Sequence, residues 1–263
     1  MKPSPDATFL KAFLLRHWRD PVISTGGRGI GLDFPSFDFG PFDYLEFADK
    51  ALARKVASSR IDSVTHLKRA IECQMDVLIH VMHIPLGRTE QNFPFKLCLI
   101  ERMGIVRSSS LGRLNTIRNK VEHRFLRPNL QNLEVYFDLA SAFVTAVDGY
   151  IFKLAATGVV EWQGDSLFLH EGKPRVSIGT RASYSPEDRR AVFRLRDGNA
   201  ERTVAFAVSD GWETFAFGVR VHHLLMQAGH IISTGYARRQ LRHLRLPNRL
   251  QPKAPDRIAR HRR

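Results

Sequence analysis

Leu111-Gly112-Arg113-Leu114-Asn115-Thr116-Ile117-Arg118-Asn119-Lys120-Val121-Glu122-His123-Arg124-Phe125 decides how this chain is read. Leu111, Leu114, Ile117, Val121 and Phe125 recur every three or four residues, and at about 100° per residue they form one apolar stripe of an α-helix. Asn115, Arg118, Asn119, Glu122 and His123 fall on a second stripe beside it. A solvated helix face usually mixes Lys, Glu, Gln and Ser. This one gathers a guanidinium, two amides, a carboxylate and an imidazole, groups that hydrogen-bond in fixed geometry, next to the core. The plain structural reading is that Arg118 and Glu122 form an i, i+4 ion pair worth about 0.2–0.5 kcal/mol to the helix.

Working outward, Ser108-Ser109-Ser110 offers a cap before this helix and Pro128 stops it. Upstream, helical period predicts helices over about 43–58, 61–83 and 93–106. The second carries Val64, Leu67, Ile71, Met75, Leu78 and Met82 on one face and ends at Pro85-Leu86-Gly87. Downstream, Leu133, Tyr136, Phe137, Ala140, Phe143, Val144, Val147 and Ile151 predict a long helix over about 129–156. Short connections between long amphipathic helices imply an antiparallel bundle.

At Gly158 the period falls from about 3.6 to 2. Val159–Trp162, Ser166–Leu169, Arg175–Ile178, Ala191–Leu195 and Thr203–Val208 read as strands, separated by turn signals such as Asp197-Gly198-Asn199. A helix near 217–229 closes this unit. The expected fold class is α+β, an antiparallel helical bundle followed by a small antiparallel β unit and a basic C-terminal helix and tail. The expected units are an irregular segment at 1–42, the bundle at 43–157, the β-rich unit at 158–235, and the basic helix and disordered tail at 236–263.

The chain has 263 residues and a net charge of +14, with 43% hydrophobic and 25% charged residues. These are ordinary values for a globular protein with a real core. The charge is informative once it is located. Residues 238–263 hold nine arginines and Lys253 against Asp256 alone, a net +9. Arg238, Arg239, Arg242 and Arg245 are therefore the expected nucleic-acid-binding residues, acting on phosphates. A solvated tail that aids solubility is the competing reading. No apolar run is read as reaching the ~20 residues that span a bilayer, and the start carries no secretory pattern, so a cytoplasmic protein without a membrane partner is expected. Cys73 and Cys98 lie in apolar helical patterns and read as buried thiols.

The helix LNTIRNKVEH, followed by a proline-containing loop and another long helix, resembles the HEPN domain, marked by Arg-x-x-x-x-His with a polar residue often directly after the arginine. Arg118, Asn119 and His123 match that pattern position for position, and the resemblance covers about residues 43–156. It implies a metal-independent endoribonuclease of the toxin or phage-defence kind. Arg118 and His123 would be its catalytic pair and Asn119 their polar support. It also implies RNA as substrate, a homodimer with the motifs meeting across the interface, and an antitoxin or defence-system protein as a further partner, with no cofactor and no metal. A non-catalytic RNA- or protein-binding module of the same fold is the alternative. One branch of the family carries a tyrosine two residues after the histidine, where AMP is attached. Phe125 stands there in this chain, so neutralisation by adenylylation at that position is not expected.

Other sets are weaker. Thr25-Gly26-Gly27-Arg28-Gly29-Ile30-Gly31 resembles the glycine turn of short-chain dehydrogenases. It is one residue short, and Asp33-Phe34-Pro35-Ser36-Phe37 cannot open the helix that receives the pyrophosphate. His80 and His83 lack a completing carboxylate in sequence. His222, His223 and His230 read as core or interface histidines, and Trp18, Trp162 and Trp212 as packing anchors. Asp188, Glu187 and Glu213 spell no metal site.

Overall fold

A computed structural model describes residues 3–18, 22–26, 31–54, 56–106, 130–157, 159–163, 178–228 and 231–248. Proline opens several of its helices at the first turn, where a missing N–H costs nothing. Helix α1 (Pro5–His17) and helix α2 (Pro41–Ala53) both begin this way. In α2 the Asp43 carboxylate also accepts the Gly40 N–H at 2.7 Å. Helix α3 (Ala57–Val81) buries the whole expected stripe from Val64 to Leu78, with Met82 just beyond it. Helix α4 (Phe93–Arg102) is capped by Asn92, whose side chain accepts the Phe95 N–H at 2.9 Å. Helix α5 (Leu130–Thr157) packs on α3 through Ala140, Phe143, Val144, Val147 and Ile151. Helices α2, α3 and α5 make one layer.

The second layer is a five-stranded antiparallel meander: β1 (Val22–Gly26), β2 (Val159–Gln163), β3 (Ile178–Ser185), β4 (Arg190–Asp197) and β5 (Ala200–Ala207), in that spatial order. Strand β4 alternates as one buried face requires, with Ala191, Phe193 and Leu195 inward and Arg190, Arg194 and Arg196 exposed. Gly198, at φ 66°, makes the tight turn into β5. Helix α6 (Trp212–Gln227) lies on the inward face. Gly218 permits this approach, because a Cβ there would sit 2.5 Å from Phe206 Cβ. Helix α7 (Thr234–His243) follows. The mixed composition is α+β.

The two layers share one core. The Tyr184 hydroxyl donates to Met82 O at 2.8 Å in a buried contact, and the Trp212 Nε1–H donates to Glu90 Oε1 at 2.6 Å.

Four expectations are corrected. Residues 1–42 are not irregular throughout: α1 buries Ala7, Leu10, Phe13 and Leu14, and β1 adds an edge strand to the sheet by pairing with β2. The basic segment is not an appendage up to residue 248. Ala237 and Leu241 are fully buried and Leu244 nearly so, and the Ser4 N–H donates to Pro247 O at 2.9 Å. Helix α5 contains a stretch, Leu133–Ala155, that is long and apolar enough by length and composition to cross a bilayer, although Glu134, Asp138, Asp148 and Lys153 interrupt it. Its Leu133, Phe143, Val147 and Leu154 side are buried in the core. Cys98 is exposed rather than buried, since its neighbours Leu97 and Leu99 take the inward face of α4. Cys73 is half-buried, and burial beside Asp76 and Asp43 pushes its thiol up to about 11.

Strand β3 runs well past its expected end at Ile178, to Ser185. The expected strand at Ser166–Leu169, the residues before Ile178, and His230 lie outside the described residues.

Candidate functional site

Arg118, Asn119 and His123 lie outside the described residues. The stretch that carries them joins Val106, just after α4, to Leu130, where α5 starts.

Arg238, Arg239, Arg242 and Arg245 are described, and all four are exposed. Their placement follows from α7 itself. Ala237 and Leu241 recur at helical spacing and are drawn into the core, which turns Arg238 and Arg242 outward; beyond the extended Leu244 that ends the helix, Arg245 is exposed as well. Ser233 caps the helix by accepting the Tyr236 N–H at 3.2 Å. The Trp18 indole donates to Thr234 O at 3.1 Å, and the Lys11 ammonium donates to Leu244 O at 2.6 Å. Arg238, Arg239 and Arg242 thus stand on a helix tied at both ends to α1 and the residue that follows it, and Arg245 lies just past that helix. Arg239 lies with its guanidinium carbon 5.8 Å from the centre of the Tyr236 ring.

Beside this face is a cleft that the sequence did not disclose. Its outer bay, about 530 Å³, is lined by Arg102 from α4, by Glu213, Phe217 and Arg220 from α6, and by His243 and Arg245. Arg102 Nη1 and Glu213 Oε1 are 2.9 Å apart. An inner bay of about 250 Å³ shares Arg220 and Leu244 with it and is lined also by Glu101, Val106, His223, Leu224, Tyr236 and Gln240. Gly104 is demanded here twice. Its φ is +77°, and a Cβ would meet Arg220 Cγ at 2.9 Å.

No family model, curated protein or solved structure matches this chain. Its chemistry therefore has to be read from its own residues.

His223 is the most perturbed group in the cleft. It is 7% exposed, and among the described residues neither ring nitrogen has a hydrogen-bond partner. Burial, with the positive charges of Lys153 and Arg220 and with His222 nearby, pulls its pKa down to about 3. At neutral pH it is an uncharged imidazole with one donor and one acceptor. The Tyr150 ring meets it edge-on at 4.9 Å, and burial raises the Tyr150 phenol above its ordinary value.

The remaining candidates have structural places. Trp18 and Trp162 are buried against each other, with ring centres 6.0 Å apart. His222 is fully buried. His80 Nε2 stands 3.3 Å from Asp33 Oδ2 on the surface. Asp188 serves the β3–β4 turn through Ser185 and Arg190. Among the described residues no three His, Cys, Asp or Glu side chains are grouped to hold a metal ion.

The sequence carried one sign of the cleft. Arg220 is the single Lys or Arg of α6, a helix whose other residues are apolar or aromatic apart from Glu213, Thr214, Gln227 and two histidines.

Proposed function

We propose that this protein is a metal-independent endoribonuclease of the HEPN type, working as a homodimer in a toxin or phage-defence setting. The observation that carries the reading is the Arg118-Asn119-x-x-x-His123 spacing on one polar stripe of an amphipathic segment. RNA brings its own nucleophile. His123 accepts the proton of the 2′-hydroxyl as the 2′-oxygen bonds to phosphorus. Arg118 holds the phosphate and offsets charge building on its oxygens, and Asn119 orients it. The P–O5′ bond breaks, and the leaving 5′-oxygen takes a proton from the imidazolium of a second copy. A 2′,3′-cyclic phosphate remains.

Two features support the reading without depending on the motif. The exposed arginines of α7 suit a phosphate backbone. Helix α5 leaves Val135 56% and Phe152 73% exposed, apolar surface of the kind a second copy covers.

The test is cleavage of RNA in excess EDTA. His123→Ala and Arg118→Ala are each expected to cut the rate about 10²–10⁴-fold with the fold intact. Activity that vanishes on chelation and returns with magnesium overturns the mechanism. Unimpaired cleavage by both variants overturns the residue assignment. A second reading, RNA binding without cleavage, rests on the α7 arginines alone. It is the conclusion if purified protein binds RNA with a steep salt dependence yet leaves it whole.

A further inference from the structure

We propose that the cleft between the end of α4, helix α6 and residues 243–248 is a nucleotide-binding site, holding phosphate in its outer bay and the base in its inner bay. The described residues that line it do not include Arg118, Asn119 or His123, and the proposal stands whether or not that set cleaves RNA.

The outer bay fits a phosphate. Three guanidiniums, those of Arg102, Arg220 and Arg245, line it, and His243 adds a further donor. Glu213 is the opposing charge, and its carboxylate is already engaged by Arg102 at 2.9 Å. The described lining of this bay thus carries three guanidiniums and one carboxylate, and Glu101 adds a second carboxylate beside Arg220 in the inner bay. Guanidinium forks match phosphate oxygens in pairs, as a lysine ammonium does not.

The inner bay has a different chemistry. Val106 and Leu224 give it apolar walls, and Tyr236, 39% exposed, adds an aromatic ring to its lining. Gln227 and Gln240 carry amides that both donate and accept. His223 closes the bay, 93% buried and with neither nitrogen satisfied among the described residues. An unsatisfied buried donor and acceptor are costly. The edge of a nucleobase presents the complementary pair, with a flat face for Tyr236. Arg220 passes between the bays, held against Gly104, where any other residue would displace it. Arg220 lines both bays, so a nucleotide with its phosphate in one and its base in the other would meet its guanidinium. The shared chemistry is that of a free mononucleotide or of a phosphorylated RNA end.

The test uses the full chain and calorimetric titration with the four ribonucleoside 5′-monophosphates, adenosine, inorganic phosphate, and an RNA octamer with or without a terminal phosphate. At least one monophosphate is expected to bind saturably below millimolar concentration, at least tenfold tighter than adenosine or inorganic phosphate. Arg245→Ala, an exposed change, is expected to weaken it at least fivefold. Arg194→Ala, which removes the same charge from the outer face of β4, is expected to leave it within twofold. His223→Leu should change the ranking of the four nucleotides while phosphate binding persists. If only the phosphorylated octamer binds, and mononucleotide competes with it weakly, the occupant is an RNA end. Equal binding of phosphate and nucleotide overturns the base assignment. Equal losses from Arg245→Ala and Arg194→Ala reduce the effect to net charge and overturn the site.

Discussion

Phe152 on α5 is 73% exposed, while Phe215 on α6 is fully buried. Both helices are long and rich in apolar residues, so composition does not separate them. Surroundings do. Helix α6 is packed on one side against β3, β4 and β5 and on others by α1, α4 and α7. Among the described residues helix α5 is packed by α3 and α2 and meets α6 through Tyr150 and Lys153, while Val135 and Phe152 stand exposed. Apolar content thus reports that a helix wants a neighbour, and only the fold tells whether the chain supplies one.

The largest contrast should appear when the same change is made in both places. Phe215→Ala is expected to cost about 3–5 kcal/mol in chemical denaturation, through lost burial and the cavity left behind. Phe152→Ala should stay within about 0.5 kcal/mol. Comparable losses would show that α5 is covered in the free protein. Gly218→Ala comes next. The helix gains about 1 kcal/mol in propensity, but the new methyl meets Phe206, and overpacking should leave a net loss of about 1–3 kcal/mol. A neutral or stabilising result would place α6 farther from β5 than described.

The third expectation concerns acid. The pKa of His223 in the folded chain, about 3, lies below its ordinary 6.5. Only the unfolded chain takes up that proton between these values. The stability is therefore complete above pH 6.5 and is lost as pH falls towards 3, by up to about 1.4 kcal/mol per pH unit. Urea midpoints from pH 7 to 4 should show the slope, and His223→Leu should flatten it. An unchanged slope would assign acid sensitivity to other groups. The smallest effect on the fold, and the sharpest on assembly, is expected from Val135→Lys with Phe152→Lys. Sedimentation should shift towards monomer while the melting temperature stays put. A dimer that survives both changes uses another face.

Helix α3 was legible because its stripe from Val64 to Met82 is long and regular. Helix α1 was not, since residues 1–42 were expected to be irregular, although Pro5 sits at a first-turn position that tolerates proline. Strand β1 is five residues beside a glycine run. It is a strand because Val22–Gly26 find Val159–Gln163, a partner far along the chain that local pattern does not reveal. In α7 the arginines masked the spacing of Ala237, Leu241 and Leu244, which decides its packing. The Arg118–His123 set was visible as spacing alone and lies outside the described residues. Apart from the lone Arg220 of α6, the cleft left no mark in the sequence, for another reason. Its walls come from separate segments around residues 102, 217, 224 and 245, and nothing in a linear pattern brings them together.

The pairing of residues 3 and 4 with 247 and 248 has a consequence for synthesis. Pro3 bridges to Asn248, and the Ser4 N–H is held by Pro247 O. Helix α1 leaves the ribosome long before the segment that receives it. At 5–20 residues per second, roughly 10–50 s pass before that partner emerges. Throughout that time Leu10, Phe13, Leu14 and Trp18 have no native cover from α7. The nascent chain therefore has a long window in which a chaperone, or an incorrect partner, competes for α1.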